Sequence, residues 1–151
     1  MEGRAILAGS CEGVTFRVVR DEIRALAKGE DTGGAYEIFE LKGPRESGPP
    51  LHSHPWDEAY VMLEGEVEVT VGERKMTLTP GCFANAPRGT LHAYRILSDE
   101  ARFVVVTSPA GASDFFADLD RETQGSTEDL ARILGVALRH GLSVPLPPPS
   151  A

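Results

Sequence analysis

The sequence predicts an all-β fold closed at its C-terminal end by short helices. Three observations carry that expectation. Between Val14 and Pro109, short runs of β-branched and aromatic residues are punctuated by Gly and Pro at close intervals. Helical periodicity is largely absent over the same stretch, and beyond Pro109 the pattern turns helical. The expected strands are Val14 to Val19, Ala35 to Leu41, Leu51 to His54, Glu58 to Leu63, Glu66 to Val71, Lys75 to Thr79, Cys82 to Ala86, Thr90 to Ile96 and Arg102 to Ser108. Glu64-Gly65, Pro80-Gly81 and Pro87-Arg88-Gly89 supply turns, because Gly accepts positive φ and Pro pre-sets the turn dihedral. Glu66-Val67-Glu68-Val69-Thr70-Val71 alternates polar and apolar side chains, which marks a strand with one wet and one buried face.

Helices are expected only at the end. Ser113 is placed to cap a short helix through Leu119, and Ser126 with Asp129 three residues on has the form of a capping box opening a helix to about His140. Leu130, Ile133, Leu134, Ala137 and Leu138 recur at helical spacing as an apolar stripe, and Gly141 is placed to end it. The segment Pro145 to Ala151 holds four prolines and is expected to be extended. A single domain over residues 1–151 is expected, with a barrel core at about 35–109, a helical extension at about 112–141 and a Pro-rich tail at 145–151.

Composition narrows the function. The chain has 151 residues with 23 Asp and Glu against 15 Lys and Arg, a formal charge of −8. An acidic chain with no concentrated basic face is a poor partner for nucleic acid or an anionic membrane. At this length one core buries roughly two-thirds of the chain's surface, so no metal is needed simply to fold. Cys11 and Cys82 lie far apart with no C-x-x-C spacing and read as free thiols of a reducing cytoplasm. No apolar run is long enough for a membrane span or a signal peptide, and the expected location is cytoplasmic.

The chemical signal lies in the middle of the chain. From Gly48 to Gly65 the sequence reads G-P-P-L-H-S-H-P-W-D-E-A-Y-V-M-L-E-G, so His52 and His54 share one face of an extended segment. Glu58 opens the next strand after the turn Pro55-Trp56-Asp57, and His92 follows the rigid turn Pro87-Arg88-Gly89. Three imidazoles and one carboxylate suit a divalent transition metal, which could be Fe, Mn, Co, Ni, Cu or Zn.

These two blocks resemble the paired motifs of the cupin superfamily, small double-stranded β-helix barrels of jelly-roll type. The first motif runs glycine, five residues, H-x-H, three or four residues, E, six residues, G, and is matched by His52, His54, Glu58 and Gly65. The second runs G, five residues, P-x-G, two residues, H, three residues, N, and is matched by Gly81, Pro87, Gly89 and His92. Glu46 stands where the first glycine belongs and Ile96 where the final Asn belongs. Eight positions at fixed spacing are far more specific than a lone H-x-H.

At finer grain the stretches H-S-H-P-W-D-E-A-Y-V-M-L-E-G-E-V, P-R-G-T-L-H-A-Y-R-I-L and R-F-V-V-V-T-S-P-A-G-A-S-D-F-F are similar to single-domain cupins of the quercetinase-like group. That resemblance implies a metal-dependent dioxygenase acting on a small enolic, polyphenolic or flavonol-like substrate, with dioxygen as co-substrate. It further implies His52, His54 and His92 as metal ligands, Glu58 as ligand and base, and a homodimer. The alternatives are a non-oxidative metal cupin, such as an isomerase or polyketide cyclase, and a small-molecule binding barrel without catalysis. Tyr60 and Met62 share the parity of Glu58, and Tyr94 that of His92, so they either line a substrate pocket or fill the barrel core. Trp56 is placed to guard the mouth or pack on another subunit, and Arg88 to steer an anion or sit as a solvated turn charge. His140 is read as a helix C-terminal residue, Phe115 and Phe116 as packing for the first helix, and Cys82 as a strand residue of the core.

Overall fold

The computed structural model describes residues 2–145. Among the described residues there are nine strands: β1 (Thr15–Val18), β2 (Asp21–Ala27), β3 (Glu37–Pro44), β4 (Asp57–Glu64), β5 (Val67–Val71), β6 (Arg74–Leu78), β7 (Phe83–Ala86), β8 (His92–Ile96) and β9 (Glu100–Ser108). Helices α1 (Ala112–Thr123) and α2 (Leu130–Arg139) follow. The strands form a six-stranded sheet, ordered β1-β2-β3-β9-β4-β7, and a three-stranded sheet, ordered β6-β5-β8. Every pairing is antiparallel.

The expected alternation decides what lies inside. On β4 the buried positions are Glu58, Tyr60 and Met62; on β8 they are His92, Tyr94 and Ile96; on β9 they are Ala101, Phe103, Val105 and Thr107. With Ile23, Phe39, Val67, Val69 and Leu78 from the remaining strands, their apolar members form one core between the two sheets. Burial of that apolar set supplies the main driving force for closing one sheet over the other.

Several elements differ from the sequence expectation. Strand β2 was not anticipated, because Asp-Glu-Ile-Arg-Ala-Leu-Ala is poor in β-branched residues; it forms because Asp21, Ile23, Ala25 and Ala27 all face inward while it pairs with β1 and β3. Leu51 to His54 is not a strand but an extended segment with isolated bridges from His52 to His92 and from Ser53 to Ser143. Helix α1 is capped at Gly111, not Ser113, and runs on to Thr123 rather than Leu119. Ser113 instead lies in its first turn, where its N–H and hydroxyl donate to the buried carboxylate of Glu37. Asp129, not Ser126, caps α2, accepting from the Arg132 N–H at 3.0 Å. The apolar stripe of α2 is also rotated: Val136 and Ala137 are buried, whereas Leu130 and Leu138 are exposed. Cys82 immediately precedes β7, and apart from Pro145 the Pro-rich tail lies outside the described residues. Among the described residues, no helix is long and apolar enough to cross a membrane.

The glycine-motif positions have a backbone reason. Gly65 turns from β4 to β5 with φ 85, and a Cβ there would lie 2.5 Å from the Glu100 carbonyl oxygen. Glu46, where the motif expects glycine, also adopts a positive φ of 68. The substitution keeps the turn and accepts the strain that glycine avoids.

Candidate metal centre

Four side chains reach one point from three differently held pieces of backbone. His52 and His54 sit on the segment 51–56, which belongs to neither sheet. The His52 N–H donates to the His92 carbonyl at 3.1 Å, and the His92 N–H returns to the His52 carbonyl at 2.9 Å. The Gly89 N–H donates to the His54 carbonyl at 3.0 Å, so the Pro-Arg-Gly turn is tied directly to this segment. Glu58 lies on β4, in register with Ala86 on one side and Thr107 on the other. His92 opens β8 opposite Val71. The expectation that the ligands come from three strands therefore holds only for Glu58 and His92, which lie on two strands.

The ligating atoms of His52, His54, Glu58 and His92 all lie within 4.8 Å of one another, and all four residues are buried. Each imidazole is oriented by its far nitrogen. Nδ1 of His52 donates to the Pro50 carbonyl at 2.9 Å, that of His54 to the Trp56 carbonyl at 2.8 Å, and that of His92 to the Thr90 carbonyl at 2.8 Å. A carbonyl can only accept, so each ring carries its proton on Nδ1 and turns Nε2 toward the centre. Nε2 of His54 and of His92 lie 3.0 and 2.9 Å from Glu58 Oε2. Nitrogen lone pairs facing a carboxylate at that range are stable only with a proton or a cation between them. The donor set thus fits a divalent metal, with borderline nitrogen ligands and one hard oxygen.

The electrostatics agree. Burial, followed by repulsion from His92, lowers the His52 pKa to about 4, so this imidazole is neutral and ready to ligate near neutrality. Burial alone would raise the Glu58 carboxyl, but with a proton on Nε2 of His54 and His92 their hydrogen bonds outweigh it and hold the group well below the usual carboxylate range. For His92, burial is outweighed by the hydrogen bond and charge of Glu58, and its pKa is raised.

The surrounding residues divide clearly. The Tyr60 hydroxyl donates to Glu58 Oε2 at 3.0 Å. Burial and the Glu58 charge raise the Tyr60 pKa well above its ordinary value, so it remains a donor. Tyr94 turns its hydroxyl away to Asp21, which also accepts from Ser47. Tyr60, Tyr94 and Phe103 pack edge to face, with centroids 5.4 to 5.9 Å apart, and Met62 is buried beside them. Trp56 stacks on the His54 ring at 4.4 Å and 13°. Arg88 is engaged by Asp57, through its backbone N–H at 2.8 Å and its guanidinium at 2.9 and 3.1 Å. His140 Nε2 meets Asp118 at 2.7 Å on the helices. Phe116 packs on Phe39 and Phe115 on Trp56, as expected of the residues that dock α1. The buried carboxylates Asp21 and Glu37 were missed by the sequence reading, and their only signal is an acidic residue at an inward position of a strand.

Residues 39–108 match the family described as the Cupin domain. The chain belongs to the cupins. Among curated relatives this cupin is similar to the quercetin 2,3-dioxygenase of Bacillus subtilis (strain 168), with 32% identity over 112 residues, covering 74% of this chain. The cupin spans 33% of that relative's length. Among solved structures, an RmlC-like cupin from Shewanella frigidimarina matches with a TM-score of 0.65 and 15% identity over 76% of this chain and 99% of its own. The polyketide cyclase RemF from Streptomyces resistomycificus matches with a TM-score of 0.60 and 20% identity over 69% of this chain and 79% of its own. At such identities the two structures establish the cupin fold alone.

Proposed function

We propose that this cupin is a metal-dependent dioxygenase that binds a small enolic, polyphenolic or flavonol-like substrate at His52, His54, Glu58 and His92. The observation that carries the reading is the convergence of three Nδ1-anchored imidazoles on one carboxylate. Similarity to a quercetin 2,3-dioxygenase supports the substrate class. A divalent ion bound there would lower the pKa of an enol hydroxyl and present the substrate to dioxygen.

The protein's own groups carry the rest. Glu58, held ionised by its imidazole neighbours, takes the hydroxyl proton on a carboxylate oxygen. Tyr60 steers that carboxylate by donating to Oε2. The resulting enolate is electron-rich and reacts with dioxygen, both of whose atoms enter the product. Trp56, stacked over His54, screens the ring from solvent, and its burial keeps the site dry. Tyr60, Met62 and Tyr94 are packed in the core, and the Tyr60 and Met62 side of it, beside Glu58, is proposed as the apolar surface nearest the substrate. We further assign the protein to the cytoplasm, with both cysteines free, and expect a homodimer, which light scattering tests.

The test is oxygen uptake with quercetin and a panel of other enols. Uptake is expected in the metal-loaded protein, with loss on chelation and in Glu58→Ala. Absence of uptake across the panel overturns the dioxygenase reading, and turnover without oxygen would replace it with the non-oxidative one.

A further inference from the structure

The segment 51–56 supplies two of the four residues proposed to ligate the metal, yet no sheet holds it. On its inner edge it joins β8 through the single pair His52 and His92. On its outer edge it meets the residues after α2: the Ser53 N–H donates to the Ser143 carbonyl, and the Ser143 N–H to the Ser53 carbonyl, each at 2.9 Å. Ser53 is the residue between the two histidines. Because successive residues of an extended chain direct their backbone groups to opposite edges, this pair fixes the height and tilt at which both imidazoles project inward.

The outer contact is itself anchored. Gly141 leaves α2 with φ 82 and lies so close to Pro55 that a Cβ there would be 3.3 Å from the proline ring. Leu142 is buried, and its N–H donates to the Ala137 carbonyl at 3.0 Å. His140 is bound to Asp118 of α1 at 2.7 Å. The start of α1 then reaches the far end of the same segment, where Gly111 and Phe115 lie against Trp56, whose carbonyl orients His54.

We propose that residues 141–143 are a strap that positions His52 and His54, so that the C-terminal extension, although it contributes no ligand, sets the affinity of the metal centre. The strap rests on the metal reading above. Groups that orient ligands from behind typically contribute a factor of about 10 to 100 in metal affinity. The strap plays that part through backbone hydrogen bonds, and the helical hairpin provides its rigidity.

Ser143→Pro tests this, because proline lacks the N–H that donates to Ser53. A chain ending at His140 is the second variant, and a chain ending at Pro145, which keeps the strap, is the comparison. Zn²⁺ and Co²⁺ binding are measured by calorimetry, the Co²⁺ absorption spectrum reports ligand geometry, and the metal-free melting curve reports folding. The expected result is a loss of about 10- to 100-fold in affinity and an altered Co²⁺ spectrum in the first two chains, with the third matching the full chain. A folded Ser143→Pro protein with full affinity and an unchanged spectrum overturns the strap alone. A melting shift without an affinity change does the same, because it shows a merely structural role. Failure of the full chain to bind either ion overturns the metal reading and the strap with it.

Discussion

At the scale of single residues, the protein concentrates strain and charge at turns. Val19 is the first residue of the two-residue loop between β1 and β2, at φ 58, a conformation that β-branched residues rarely adopt. Val19→Gly is expected to raise stability by about 1 kcal/mol in denaturant titrations, because it removes the left-handed strain and sacrifices little burial. Asp57 behaves differently: hydrogen bonds from the Arg88 side chain and backbone pull its pKa from 3.8 to about 2. Its folded-state pKa is the lower one. Its contribution is therefore fully present above the unfolded value of 3.8 and is lost as pH falls toward 2. An NMR titration of Arg88→Ala should show Asp57 returning toward 3.8; an unmoved midpoint would refute the pairing as the cause.

At the scale of elements, Glu37 on β3 joins the sheet to the helices. It is 1% exposed and accepts from the N–H groups of Gly29, Gly111 and Ser113 at 3.1, 3.2 and 3.0 Å, and from the Ser113 hydroxyl. A carboxylate there satisfies the free donors of the α1 N-terminus and complements the helix dipole. Glu37→Ala is expected to cost about 3 kcal/mol or more, through several buried donors left unpaired, and to loosen α1 in hydrogen exchange before the barrel opens. The sequence marked Glu37 only as an acidic residue at an inward strand position, since its partners lie far along the chain and its role exists only once β3 and α1 have met. The same holds for β2 and for Ser143. Their pairings override weak local propensity, and tertiary contacts of that kind leave no local pattern. The four converging residues were legible as a group because ligand chemistry demands fixed residue types at fixed spacing, and extended-chain parity then puts them on one side. Even so, the backbone around His52 and His54 read as a strand when it is an extended segment held by single bridges.

At the scale of the whole molecule, the length and acidity of the chain are compatible with a core that closes without help, since apolar residues of both sheets fill it. The metal's contribution to stability should then be an increment rather than a condition of folding. A divalent ion at about 100 times its dissociation constant is expected to add about 2.7 kcal/mol, and a chelator to remove it while leaving a cooperative melt. A metal-free protein without a cooperative transition would show that the centre is required for folding. Trp56 makes such states visible in a further way. It is the chain's one tryptophan, and its ring lies parallel to His54 at 4.4 Å. The tryptophan emission of the entire protein therefore originates beside a proposed ligand. Paramagnetic Co²⁺ or Cu²⁺ should quench that emission strongly and Zn²⁺ far less, giving an optical readout of occupancy with no label attached.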